Sequence, residues 1–180
     1  MPNSSLTDAI KEAYASAPTD TVILHTLEFR HSAFTQPLRV VYDNRQWSGY
    51  LEADAPEDGG QLVNFSPYTF EIKLPEVTDS GLPELEIKID NVTQEIQEQI
   101  EAAAVTSEQV ELTYRPFLSS DVNGSGYLNG PQMDPPMHLV ITFIKADVLK
   151  ITATASFGDI SNKLFPVEIY TPDNFPGLVR

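Results

Sequence analysis

Cysteine is absent from the 180 residues, which excludes disulfide staples, thiolate zinc sites and cysteine nucleophiles. Basic side chains are scarce: 11 Lys and Arg stand against 26 Asp and Glu, a formal charge of −15. Tight nucleic-acid binding needs a Lys/Arg footprint on the phosphates, and this chain has little to build one from. Long apolar runs are missing too. Nothing approaches the ~20 residues of a membrane helix, so no membrane insertion is predicted. The stretch MPNSSLTDAIKEAYASAPTD has neither a basic start nor an apolar block, which predicts no signal peptide.

Catalytic patterns are equally sparse. The histidines are His25, His31 and His138, and no HExxH occurs. In one strand, His25 and His31 would lie ~20 Å apart, too far to share a metal. There is no GxSxG elbow, P-loop or GxGxxG. The carboxylates are spread over loops and strand faces, where the simplest reading is solvated surface. The sequence predicts neither an enzyme nor a cofactor.

What is present is alternation. Hydrophobic residues make up 41% of the chain, enough for a real core. TVILHTLEFRH (21–31) carries apolar residues on both faces, and LRVVYDN (38–44) follows. Trp47, Tyr50 and Leu51 mark a further strand end before the polar EADAPEDGG. QLVNF and YTFEIKLP (68–75) come next. In PELEIKID (83–90), Leu85, Ile87 and Ile89 point inward and Glu84, Glu86 and Lys88 outward. VELTYRPF (110–117) and the hairpin MHLVITFIKADVLKITATASF (137–157) complete about eight strands, with the hairpin turn expected near Lys145–Asp147. Two helices are predicted. One spans 6–17, capped by Thr7, with Leu6, Ile10, Ala13 and Tyr14 or Ala17 as its stripe. The other spans 92–104, with Val92, Ile96, Ile100 and Ala104 recurring every fourth residue. The fold class is therefore mainly β (α+β): one β-rich domain over 1–158, and an aperiodic, proline-rich C-terminal arm over 159–180.

The loop 119–136, SSDVNGSGYLNGPQMDPP, is the one candidate metal site. Counted as a calcium loop, it offers Asp121, Asn123, Ser125, the carbonyl of Tyr127, Asn129 and Gln132, with Gly126 at the turn position. The bidentate glutamate at the end is missing and the flanks are not helical, so the signature is incomplete. The preferred reading is an exposed loop whose Tyr127, Leu128 and Met133 dock on another subunit. Phe165, Tyr170 and Phe175 of the arm are the matching anchors.

AIKEAYASAPTDTVILHTLEFRH, LEADAP, LPELEIKIDNV, VELTYRPFLSSD, GPQMDPP and FGDISNKLFPVEIYTPDNFPGL form an ordered set of blocks covering nearly the whole chain. Together they resemble a family of uncharacterised minor tail proteins of siphophages and their prophages. The resemblance implies a tail-tip (baseplate) component in the virion, assembled in the host bacterial cytoplasm. It implies the β-sandwich or split barrel of tail-tube and distal-tail proteins. The expected partners are the tail tube, the tape measure and hub or fibre proteins, within a trimeric or hexameric ring that DNA crosses only in transit. The acidic balance then suggests a lumen that repels phosphates, with Glu71, Glu84, Glu86 or the EADAPED loop as candidate lining. The alternative is a β-sandwich binding module that uses the 121–132 loop for calcium or a glycan, with Trp47 and Tyr50 stacking on sugar.

Overall fold

The computed structural model describes residues 6–16, 21–74, 84–90, 105–106, 108–147 and 150–157, with Gln99 and Ala103. Among these lie one helix, α1 (Asp8–Ser16), and nine strands: β1 (Ile23–Arg30), β2 (Leu38–Tyr42), β3 (Trp47–Tyr50), β4 (Leu62–Tyr68), β5 (Phe70–Lys73), β6 (Glu84–Asp90), β7 (Glu111–Leu118), β8 (Met137–Asp147) and β9 (Lys150–Ser156). The fold is mainly β, as the alternation predicts.

The strands form one open, mixed sheet in the order β3-β4-β2-β1-β7-β8-β9-β6-β5. The β2–β4 pair is parallel and the other pairs are antiparallel. The order forces a curl. β4 is second and β5 is last, yet Thr69 alone separates them in the chain. Neighbouring Cα atoms sit ~3.8 Å apart, so the two ends of the sheet must approach each other. A ring contact of 5.5 Å between Tyr42 on β2 and Phe70 on β5 marks where they do.

Curling gives the sheet an inside and an outside. The inner core takes Leu27 and Phe29 from β1, Val40 from β2, Phe70 from β5, Leu85, Ile87 and Ile89 from β6, and partners from β7, β8 and β9. A second core lies on the opposite face: Leu24, Val41, Trp47, Val63, Phe65 and Phe117, with Leu128 from the long loop. β1 is thus buried on both sides, with Leu27 and Phe29 facing the inner core and Leu24 facing the second. β6 is buried on one side, and its clean alternation shows it.

Three expectations need adjustment. The helix predicted at 6–17 is described from Asp8 to Ser16, and Thr7 occupies its cap, its carbonyl accepting the Lys11 N–H. Ile10 and Ala13 are buried, but Tyr14 is half-exposed. Where a hairpin turn was expected near Lys145–Asp147, β8 runs on to Asp147, which pairs with Lys150, with a register shift between Ile141 and Phe143. Of the helix predicted at 92–104, only Gln99 and Ala103 are described; both are helical, and Ala103 joins the inner core. The rest of that helix and the arm at 159–180 lie outside the described residues.

Candidate functional site

The most concentrated chemistry sits on the outer face of β1, β2 and β7. Even-numbered β1 residues point away from the inner core, which places Glu28 and Arg30 there beside Arg39 of β2 and Arg115 of β7. The Glu28 side chain is fully buried, as is that of Arg115. Arg30 Nη1 donates to Glu28 Oε1 at 3.0 Å, and Arg39 Nε donates to Glu28 Oε2 at 2.6 Å. Arg115 Nη1 stands 3.4 Å from Glu28 Oε1, an electrostatic contact that makes no hydrogen bond.

The loop that follows β3 closes over this cluster. Glu52 takes a two-pronged bond from Arg115, Nε to Oε2 at 2.8 Å and Nη2 to Oε1 at 2.6 Å. Asp58 accepts from Arg39 Nη2 at 2.9 Å, and Glu111 of β7 accepts from Arg30 Nη2 at 2.9 Å. Three guanidinium groups and four carboxylates therefore pair with one another (+3 against −4), with Arg115 Nη1 left without a hydrogen bond. Burial alone would raise the Glu52 pKa, but the hydrogen bonds and charge of Arg115 outweigh it and hold that carboxyl below its ordinary value. Burial lowers the pKa of His138 on β8, and the positive charges of Arg115 and Arg30 lower it further.

The reading of most carboxylates as solvated surface does not extend to this cluster. Glu28, Glu52 and Asp58 are structural partners of arginine, so Glu52 and Asp58 of the EADAPED loop are committed to ion pairs. The available signal was the LEFR segment: a glutamate and an arginine two apart on a strand buried on both faces need partners.

The 119–136 loop folds back on its own chain. Leu128 pairs with the edge of β3, accepting the Tyr50 N–H and donating to the Ser48 carbonyl. Its side chain is fully buried in the second core. Met133 is buried in the inner core. Both were expected to be exposed docking residues; the structure uses them as core instead, Leu128 as the apolar plug of the segment that covers the β3 edge and Met133 where the chain bridges to Leu6. Tyr127 stays partly exposed. Phe165, Tyr170 and Phe175 lie outside the described residues.

The six candidate calcium ligands do converge in part, but on each other. Asn129 Nδ2 and Gln132 Nε2 donate to the two oxygens of Asp121, each at 2.7 Å. Asn123 Oδ1 accepts from the Ser125 and Tyr127 N–H groups. Gln132 Oε1 accepts from the Thr7 hydroxyl. The loop's oxygens are held by internal N–H and O–H donors, which is the hydrogen bonding of an Asx-turned surface loop rather than of a cation cage. Among the described residues no cluster of three or more His, Asp or Glu could hold a metal.

Residues 9–170 match the family model described as a domain of unknown function, DUF1833. The chain belongs to this family. No curated protein matches it significantly.

The remaining candidates of the DUF1833 domain have structural roles. His25 shares a 2.8 Å hydrogen bond with the Tyr114 hydroxyl, and burial lowers its pKa while raising that of Tyr114. His31 lies past the end of β1 and holds the Ala33 N–H, while His138 meets the Thr113 hydroxyl at 3.1 Å. Trp47 is buried in the second core with the Arg45 guanidinium 3.7 Å over its ring, so it is not the sugar platform considered from sequence.

Proposed function

We propose that this DUF1833 protein is a structural component of a siphophage tail tip, a subunit of a ring that joins the end of the tail tube to hub or fibre proteins while DNA passes through. The block-by-block resemblance to minor tail proteins over nearly the whole chain carries this reading. The curled, mainly β sheet with a flanking helix supports it, since a split barrel of the tail-tube and distal-tail type needs a sheet whose ends approach without fully joining. With the β3 edge covered by Leu128, β5 is the outer strand of the described sheet that a neighbouring subunit would pair with in such a ring. Exposed Glu71, Glu84 and Glu86 are the candidates to face DNA in the lumen. Tyr127 and the arm residues Phe165, Tyr170 and Phe175 are the candidate subunit contacts, with trimeric or hexameric closure.

The test is immuno-electron microscopy of purified virions with antibody against this chain, paired with particles from a deletion of its gene. Label confined to the tail end distal to the head, and tail-defective particles on deletion, are the expected results. Intact, infectious tails without the protein would refute the proposal.

A further inference from the structure

β2 and β4 run parallel but pair only from Val40↔Ser66 to Tyr42↔Tyr68. Upstream, Leu38 and Arg39 pair with β1, while Leu62 to Phe65 pair with β3. The two strands therefore part in a V, and a cleft of about 430 Å³ opens between them. That volume falls within the roughly 300–1,000 Å³ of small-molecule sites.

The walls define the ligand. Four carboxamides line the cleft: Gln36, Gln61, Asn64 and Gln99. Ser66 and Tyr68 add hydroxyls. Each carboxamide carries donors and acceptors at once, so the set suits a partner that is dense in groups of both kinds. Gln36 is exposed in the wall and makes no hydrogen bond among the described residues, so its carboxamide is open to a ligand. Asn64 has its Oδ1 engaged by the Ser48 hydroxyl at 2.7 Å, which orients its amide N–H groups.

Charge narrows the choice. The charged wall residues are Arg39 and Asp58, and they neutralise each other at 2.9 Å. A phosphate would have to displace Asp58, and a divalent cation would have to displace Arg39. An apolar ligand would strand the carboxamides. A neutral polyhydroxyl compound satisfies them, since vicinal hydroxyls donate and accept at adjacent positions. We propose that the cleft between the splayed ends of β2 and β4 is a binding site for a neutral saccharide. This site is separate from the 121–132 loop and does not depend on the tail-tip proposal.

Saturation-transfer NMR and calorimetry on the full chain test it, with maltose, diacetylchitobiose and galactose as probes and inorganic phosphate as the charged control. At least one sugar should bind saturably, and Gln36→Ala and Asn64→Ala should each weaken it about tenfold or more, which is ~1.4 kcal/mol per factor of ten. Gln36 is exposed, so its variant should keep the wild-type melting temperature and separates lost binding from lost folding. Tyr127→Ala, outside the cleft, should bind as the parent does. The proposal is overturned if none of the three sugars binds, if phosphate binds in their place, or if binding survives both cleft substitutions.

Discussion

Glu28 is the residue on which the outer face of β1 depends. It meets three arginines while fully buried, so removing it strips the buried hydrogen-bond acceptor from Arg30 Nη1 and Arg39 Nε, although Glu111, Asp58 and Glu52 still face the three guanidinium groups. Glu28→Ala should cost about 3–5 kcal/mol, read by urea denaturation. Glu111 shares Arg30 but its side chain is 60% exposed, so Glu111→Ala should cost under ~1 kcal/mol. Similar losses for the two would show that the cluster is not buried in solution. Protonation should act in two stages. His25 and His138 have folded pKa values below the ordinary 6.5, so the unfolded chain takes up protons first as pH falls below that value. Stability is therefore intact above 6.5 and declines beneath it. Glu52 follows the same sign at lower pH: its contribution is present above the ordinary 4.5 and is lost as pH falls through its depressed folded value. Thermal melts from about pH 8 to 4 should show both stages, and the His25→Gln, His138→Gln double variant should flatten the first.

The element that departs furthest from its sequence reading is the loop at 119–136. Its composition (Gly, Asn, Ser and Pro) is that of an exposed surface loop, yet it supplies a core residue and covers a strand edge. Gly49 shows how close the approach is: a Cβ there would lie 2.9 Å from the Leu128 Cβ. Gly49→Ala should therefore destabilise by about 1–3 kcal/mol. Leu128→Ala should cost about 2–5 kcal/mol through the cavity it leaves. Leu128→Gly removes the Cβ that would crowd an alanine at 49, so Gly49→Ala combined with Leu128→Gly should cost less than the sum of the two single changes; simple additivity in denaturant titrations would mean that the loop does not rest on β3. Because Asp121 is satisfied by Asn129 and Gln132, melting in calcium and in chelator should agree within about a degree, and a rise of several degrees in calcium would restore the metal reading.

At the scale of the whole molecule, the curl of the sheet is the main result. It converts nine strands into one inner core plus an outer face that bears a second core and an ionic cluster. The proposed ring should show itself in light scattering as a trimer or hexamer, alone or with the tail-tube protein added. A strict monomer under both conditions would count against ring formation.

Strand positions were legible because period-two burial leaves a direct trace, as in Leu85, Ile87 and Ile89 against Glu84, Glu86 and Lys88. The apolar residues on both faces of TVILHTLEFRH likewise fit the two-sided burial of β1. Absence of cysteine excluded, from composition alone, disulfides, thiolate metal sites and cysteine nucleophiles. What no local pattern contains is pairing between distant segments. Glu28 meets Arg115 across 87 positions, Leu128 plugs a core built by β1 to β4 and β7, and the β2–β4 cleft exists because two parallel strands separate. Carboxylates and loop leucines look alike in sequence whether they are solvated or buried. Their burial is decided by which surfaces the folded chain brings against them, and only the tertiary structure decides that.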